Sequence, residues 1–285
     1  MSAPVIVTTQ EELEALTHSW VEAGETIAFV PTMGALHEGH LALVEQASHT
    51  ADRVIVSIFV NPLQFGRGED FDQYPRDIDK DARALAETAA DVVFAPTVSE
   101  IYPEGPQATA TQSAGVVGRL FEGASRSGHF DGMLTVVYRL FDLVKPTVAV
   151  FGQKDAQQLF LISQMVDSLT LPIRIVGVET VRGSDHLALS SRNAYLSSSE
   201  RQIALAIPQA LEATAVATTS DEARQSARAV LENREGLEVD YIEIVDPDSF
   251  LSLPSGSPAR QGRLIVAARI GSTRLIDNKL LTFGQ

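Results

Sequence analysis

The chain has 285 residues, 45% of them hydrophobic and 21% charged, which is enough to bury one large core or two modest ones. Its net charge of −15 argues against general binding of nucleic acid or of a membrane surface, because both need a basic face. The lack of cysteine excludes disulfides, thiol catalysis and thiolate metal sites, and the lack of a long apolar run or a signal-like start predicts a cytoplasmic protein without a membrane span.

Over the first 180 residues, short apolar runs alternate with amphipathic segments. The runs predict strands at 5–7, 26–30, 54–59, 92–94, 147–151 and 173–178. Helices are predicted from Thr9, over 39–50, 77–90 and 132–144, and from Asp155. This alternation predicts an α/β fold with a Rossmann-like, doubly wound parallel sheet, whose ligands gather at the carboxyl ends of the strands.

After residue 180 the pattern changes to helices followed by clustered strands. Ser197 to Glu200 predicts a helix start, Pro208 an interruption, and residues 221–232 a second helix. Strands are predicted at 239–245, 263–270 and 273–276, and a loop at 252–262. We therefore expect a domain of residues 1–180 and a second, smaller α+β domain of residues 181–285.

The stretch Pro31 to His40, PTMGALHEGH, carries the strongest functional signal. It follows a predicted strand and leads into a predicted helix, and Gly34 permits a backbone that a Cβ would block. A helix N-terminus offers unpaired N–H groups and about half a positive charge, which attract phosphate. His37 and His40 lie three residues apart, so both can face one anion on the first helical turn. The pattern predicts a nucleotide phosphate site.

Further candidates follow other predicted strands. Asn61-Pro62-Leu63-Gln64-Phe65 offers amides that can orient a hydroxyl or carboxylate, and Gly152-Gln153-Lys154-Asp155 offers a cation for a polyphosphate. Leu189-Ser190-Ser191-Arg192 matches phosphate oxygens with hydroxyls and a guanidinium. Glu122 to His129 and Asp72 to Arg76 are weaker signals. An edge strand with an ion pair is the favoured interpretation of the segments Ala268 to Gly271 and Thr273 to Asn278.

The sequence lacks the residue patterns that several other kinds of catalytic or binding site require. The six histidines show no spacing that suggests a Ser-His-Asp triad, and no third ligand for a zinc site stands out beside His37 and His40. The glycine turn is neither the P-loop nor the dinucleotide-binding pattern. We predict no protein-bound metal, and Mg²⁺ only as carried by nucleotide phosphates.

Together, the motifs in this order resemble the pantoate–β-alanine ligase family, within the nucleotidyltransferase and class I synthetase superfamily that carries a His-x-Gly-His turn. The resemblance rests on PTMGALHEGH, NPLQF, Glu122 to Phe130, FGQKD with the two following glutamines, LSSRN and RLIDN, and runs from about residue 26 to residue 278. It implies that ATP, pantoate and β-alanine give pantothenate, AMP and pyrophosphate through a bound pantoyl adenylate. It also implies a cytoplasmic homodimer.

The resemblance also implies roles for individual residues. His37, His40, Lys154 and Arg192 are the implied catalytic group, and His37 is our choice for handling a proton. Gln64, Asn61 and Gln158 are implied to bind pantoate, with Gln64 also placing β-alanine. The residues implied to bind ATP are Met33, Gly34, Ala35, Leu36, His37, Glu38, Gly39, His40, Gly152, Gln153, Lys154, Asp155, Val181, Leu189, Ser190, Ser191 and Arg192.

Four positions depart from the family pattern. Gln153 stands where glutamate is usual, Ala156 where an aromatic is frequent, Ser127 where proline is usual and His186 where glycine is common. Gln153 alters the charge near the nucleotide, and His186 could stiffen the loop that closes over the triphosphate.

Two other functions compete with this prediction. A nucleotidyltransferase that leaves AMP on its acceptor shares the histidine turn but needs neither the amide-rich NPLQF nor the C-terminal domain. A non-catalytic nucleotide sensor is disfavoured because both histidines, Lys154 and Arg192 are retained, although Gln153 fits it.

Overall fold

The computed structural model describes residues 3–66, 76–109, 111–258 and 260–284. The weak motif at Asp72 to Arg76 therefore lies, apart from Arg76, outside the described residues. The chain forms two compact units: Met1–Gln153 with Gln157–Glu179, and Lys154–Ala156 with Thr180–Gln285.

The first unit is built on a six-stranded sheet in which all the strand pairs are parallel, in the order β1-β4-β3-β2-β5-β6. The strands are β1 Val5–Val7, β2 Ile27–Thr32, β3 Arg53–Ile58, β4 Val92–Phe94, β5 Val148–Gly152 and β6 Arg174–Val178. The central strands β2 and β3 are almost entirely buried, as apolar runs covered on both faces must be. The predicted doubly wound sheet is confirmed.

Among the described residues of the first unit, seven helices connect or cover these strands. They are α1 Gln10–Glu22, α2 Glu38–Ser48, α3 Ile78–Leu85, α4 Val98–Ile101, α5 Glu122–Ser125, α6 His129–Val144 and α7 Ala156–Ser168, the first residue of which clusters with the second unit. Thr9 caps α1 with a capping box, as its sequence predicts. A 3-10 turn at Gln153–Asp155 precedes α7, so the helix predicted to begin at Asp155 begins one residue later.

The strand order explains where ligands belong. The chain proceeds from β2 through β3 to β4 on one side of the sheet, and then β5 and β6 extend it on the other side of β2. The direction of winding therefore reverses between β2 and β5, which is where open α/β sheets bind their ligands. Segments 33–40, 61–65 and 153–155 follow the carboxyl ends of β2, β3 and β5, three neighbouring strands.

The second unit packs three helices on an antiparallel sheet of three strands in sequential order. The elements are α8 Ser198–Ala204, α9 Ala206–Ala213, α10 Ser220–Leu231, β7 Leu237–Val245, β8 Gln261–Ile270 and β9 Thr273–Thr282. Pro208 lies in the first turn of α9, and the break falls earlier, at Leu205. Because proline has no N–H for the carbonyl of Ala204, the first helix ends there. The predicted smaller α+β part is confirmed.

Candidate active site

The turn after β2 is shaped by backbone that strongly favours glycine. Gly34 has φ of +83°, and a Cβ there would lie 2.8 Å from Asp81 Oδ2 and 3.0 Å from Ile58 Cγ2. Ala35 follows with φ of +52°, a left-handed conformation that L-residues with a side chain rarely adopt. The turn is thus held in a conformation that its own sequence does not prefer, and contacts from elsewhere must fix it.

Asp81 of α3 supplies those contacts. Its Oδ2 accepts the Ala35 N–H at 2.9 Å and its Oδ1 accepts the Leu36 N–H at 2.8 Å. The residue is 3% exposed, so water cannot substitute for the carboxylate. Both amides are therefore directed to Asp81, and the role of Ala35 and Leu36 as ATP ligands stays a prediction. Sequence reasoning missed Asp81, since a carboxylate on a charged helix gives no signal of burial.

His37 and His40 form the start of α2. His37 is the N-cap: its Nδ1 accepts the Gly39 N–H at 3.1 Å, and His40 Nδ1 faces the His37 N–H at 3.3 Å. The ring centroids lie 4.1 Å apart. The sequence placed the helix start at Gly39 and His40 with open N–H groups, but the structure uses the Gly39 N–H for capping. Because Nδ1 accepts in both rings, a neutral imidazole carries its proton on Nε2.

The amides of Asn61 and Gln64 form a buried network after β3. Asn61 Nδ2 donates to Gln64 Oε1 at 3.3 Å and to the Gly132 carbonyl at 3.0 Å. Gln64 Nε2 lies 2.7 Å from Met33 Sδ, which brings the NPLQF segment to the glycine turn as expected. Asn61 is 1% exposed and Gln64 8% exposed, so the Asn61 amide serves to orient Gln64.

Two residues of the Glu122–His129 stretch hold the backbone of Gln64. His129 Nδ1 lies 2.8 Å from the Gln64 carbonyl oxygen, and Arg126 Nη2 lies 3.4 Å from the same atom. Arg126 Nη1 also lies 3.1 Å from His129 Nε2. Since a carbonyl only accepts, the geometry fits a ring proton on His129 Nδ1.

Gly132 on α6 allows a close approach to this segment. A Cβ at Gly132 would lie 2.1 Å from the Leu63 carbonyl oxygen, so only glycine fits. The approach lets the Gly132 carbonyl reach Asn61.

The segment after β5 supplies a further polar group. Gln153 Nε2 donates to the Gly177 carbonyl at 3.3 Å, a bond that the glutamate usual at this position could not donate. Gln157 is buried and bonds the backbone of Val117, Leu120 and Glu122. Gln157 is therefore structural, whereas its neighbour Gln158 is half-buried.

In the second unit, strand β9 fixes two of the predicted ATP-binding segments. Asn278 Nδ2 donates to the Lys154 carbonyl at 2.9 Å. Asp277, with a side chain 1% exposed, accepts two bonds from Arg182 at 2.7 and 3.0 Å. The ion pair predicted for this edge strand thus exists, and it holds the chain next to Val181.

The loop from Val181 to Arg192 begins as a small hairpin. Leu189 N–H donates to the Val181 carbonyl at 2.9 Å, and Arg182 bridges to Ala188. His186 lies in this hairpin with φ of +66°, a left-handed conformation that favours glycine, the residue that the family resemblance implies at this position. Ser190 caps the following 3-10 turn, accepting the Arg192 N–H at 3.3 Å.

Ser127 and Ala156 are the other two positions that depart from the family pattern. Ser127 is exposed next to left-handed Gly128, and Ala156 is buried at the start of α7. Nothing in the structure explains the choice of residue at either position.

Residues 3–66, 76–109, 111–258 and 260–284 contain no cluster of three or more His, Asp or Glu side chains that could hold a metal ion. Within the same ranges, no helix has the length and apolar character needed to cross a membrane.

Comparisons with known proteins agree with the motifs. The family model described as pantoate-beta-alanine ligase matches residues 5–280. A pantothenate synthetase from a Nocardioides species is 50% identical, over 99% of this chain and 87% of its own length. The crystal structure of pantothenate synthetase from Thermus thermophilus has a TM-score of 0.89 at 46% identity, covering 96% of this chain and 98% of its own.

A third relative carries ligands. The structure of pantoate-beta-alanine ligase from Francisella tularensis, complexed with beta-gamma ATP and beta-alanine, has a TM-score of 0.80 at 35% identity and covers 98% of both chains. The match to the family model over nearly the whole chain, and the identity to its members, show that this chain belongs to the pantoate–β-alanine ligase family.

Proposed function

We propose that the residues gathered after β2, β3 and β5 carry out the reaction of this family. The chain condenses (R)-pantoate with β-alanine and consumes ATP, giving pantothenate, AMP and pyrophosphate through a pantoyl adenylate. The observation that carries the site assignment is the placement of three motifs on neighbouring strands at the point where the sheet reverses its winding.

In the first step a pantoate carboxylate oxygen attacks the α-phosphorus of ATP and pyrophosphate leaves. Two anions must meet, so the barrier is largely charge repulsion and positioning. His37 and His40 suit this step as donors, because their Nδ1 atoms already accept backbone N–H groups. Lys154 and Arg192 supply positive charge, and Mg²⁺ arrives with the phosphates as part of the nucleotide substrate.

We assign the other site residues predicted from the sequence to the nucleotide and to pantoate. Met33, Gly34, Glu38 and Gly39 form the nucleotide turn, with Ala35 and Leu36 shaping it through Asp81. Gln64 and Gln158 hold pantoate, and Asn61 orients Gln64. The other residues proposed to bind ATP are Gly152, Gln153, Asp155, Val181, Leu189, Ser190 and Ser191.

In the second step the amine of β-alanine attacks the mixed anhydride and AMP leaves. The amine must be neutral when it attacks, so its proton has to pass to water or to a protein side chain. His37 could accept it at Nε2 only after its ring proton shifts to Nδ1, which would break the bond to Gly39. The geometry therefore favours His37 as a donor to phosphate over His37 as the base.

The domain roles follow the same proposal. The first unit binds ATP and pantoate, and residues 181–285 act as a lid whose Leu189–Arg192 segment protects the adenylate from water. We further propose a cytoplasmic homodimer, as the family resemblance implies. Light scattering on the purified chain tests the dimer directly.

The decisive assay is exchange of labelled pyrophosphate into ATP with pantoate present and β-alanine absent. Pantoate-dependent exchange, followed by AMP and pantothenate once β-alanine is added, supports the proposed reaction. Exchange at the same rate with and without pantoate favours an adenylyltransferase for another acceptor. ATP binding without any exchange favours a non-catalytic sensor.

A variant tests the assignment of the phosphate site. His40→Ala should reduce pantoate-dependent exchange by roughly 10²-fold or more, the usual effect of removing a preorganised donor. Exchange at the wild-type rate would show that His40 does not contact the phosphates.

A further inference from the structure

We propose that Tyr102 is a positioning residue for pantoate, acting through Asn61 on the side-chain amide of Gln64. The inference rests on the proposed function, since it needs Gln64 to contact pantoate. It adds to the proposed pantoate site a residue that lies outside the sequence motifs. It also predicts that the Gln64 side chain offers N–H groups to its ligand.

Tyr102 lies directly after α4 and is 1% exposed. Its hydroxyl donates to Asn61 Oδ1 at 2.8 Å, across 41 residues of sequence. Burial raises the pKa of the Tyr102 hydroxyl far above its usual value, so the group stays protonated throughout the working pH range. The hydroxyl is therefore a permanent donor to Asn61 and not a proton-transfer group.

The Tyr102 hydroxyl helps to fix the orientation of the Asn61 side-chain amide. Its Oδ1 accepts from Tyr102 and also from the Leu63 N–H at 3.2 Å. Its Nδ2 donates to the Gly132 carbonyl and to Gln64 Oε1. A flipped amide would set its NH₂ group against the Leu63 N–H, set its oxygen against the Gly132 carbonyl, and lose the bond that Oδ1 accepts from Tyr102.

The orientation of Asn61 then determines the orientation of Gln64. Because Gln64 Oε1 accepts from Asn61, the Nε2 end is the one directed at Met33 Sδ on the glycine turn. Gln64 can therefore offer N–H groups to a ligand at this place. Such a donor recognises a carboxylate or hydroxyl oxygen of pantoate and repels the ammonium group of β-alanine. The sequence suggested that Gln64 also places β-alanine, and an N–H donor can do so only through the carboxylate of β-alanine and not through its ammonium group.

The test is the change of Tyr102→Phe, which removes the hydroxyl and keeps the ring. The loss of one buried hydrogen bond should raise KM for pantoate roughly 3- to 10-fold and leave KM for ATP within about twofold. Tyr138→Phe on α6 is the matched control, because it deletes the same atom in the same unit; it should change neither constant. Thermal unfolding of each variant monitors folding.

A second variant reverses the polarity of the relay. Asn61→Asp has no donor for Gln64 Oε1, so Gln64 should turn its amide and present Oε1 to pantoate. We expect a larger rise in KM for pantoate than with Tyr102→Phe, again with KM for ATP nearly unchanged.

The outcomes separate the two claims. A wild-type chain that makes no pantothenate rejects the proposed function, and the role of Tyr102 falls with it. An active wild type with an unchanged KM for pantoate in Tyr102→Phe rejects the relay alone. An equal rise in both KM values, in a variant of reduced thermal stability, also rejects it, since it would show a general structural role.

Discussion

The carboxylate of Asp81 is expected to control the shape of the nucleotide turn. Asp81→Asn keeps the size of the side chain but leaves one oxygen to accept. Of the Ala35 and Leu36 N–H groups, now bonded at 2.9 and 2.8 Å, one would face an NH₂ group in a buried place. An unsatisfied buried donor costs about 1–3 kcal/mol, and the lost charge on the other bond adds to it. We expect a loss of about 2–3 kcal/mol in the free energy of unfolding.

The direction of the change in the kinetics with ATP shows whether Asp81 acts through its hydrogen bonds or through its charge. If Asp81 acts through its bonds, a displaced turn lowers kcat/KM for ATP by roughly 10²-fold, because small misplacements of a binding group reduce the rate steeply. If it acts only through its negative charge, the neutral variant should bind the ATP phosphates better and KM for ATP should fall. Steady-state kinetics with ATP as the varied substrate, together with chemical denaturation, separates these results.

Asp79→Asn provides the matched control on the same helix. Asp79 is exposed on α3, and its loss should change stability by no more than about 0.5 kcal/mol, through the helix dipole. Equal effects of Asp79→Asn and Asp81→Asn, or an unchanged kcat/KM for ATP in Asp81→Asn, would refute the reasoning.

Three further changes test packing and backbone. Gly132→Ala places a Cβ 2.1 Å from the Leu63 carbonyl oxygen and should lower stability by about 1–3 kcal/mol and raise KM for pantoate, as measured by thermal unfolding and kinetics. His186→Gly relieves a φ of +66° and should raise stability by about 0.5–1 kcal/mol; a lower melting temperature would contradict this. Asp277→Asn should cost about 2–4 kcal/mol in denaturant unfolding, because it leaves the Arg182 charge half-buried without its partner; an unchanged midpoint would contradict this.

Local signals along the chain predicted much of the fold. Apolar runs predicted the strands of both sheets, and Thr9 and Ser197 marked helix starts that the structure confirms with capping boxes. Each of these features depends on residues within a few positions of one another, so sequence order alone reveals them. The ordered motifs likewise predicted the family, because each lies in one continuous stretch.

Contacts between distant segments were not predictable in this way. Asp81 holds a turn 45 and 46 residues earlier, and Asn278 reaches the Lys154 carbonyl across 124 residues. No periodicity marks such pairs, since a buried carboxylate or amide looks in sequence like an exposed one. The spacing of the histidines predicted a pair, but only the helix start in three dimensions showed that His37 caps its own helix.

By itself, then, the sequence determined the alternation of strands and helices, the antiparallel second part and the motifs that end each strand, because local propensity and periodicity encode them. The tertiary structure decided which strands are neighbours, and thereby that the turn after β2 lies between the segments following β3 and β5. It also decided which polar groups bond to one another, as Tyr102, Asn61 and Gln64 do. Those choices arise from burial, where each polar group must find a partner and the partner comes from wherever the fold brings it.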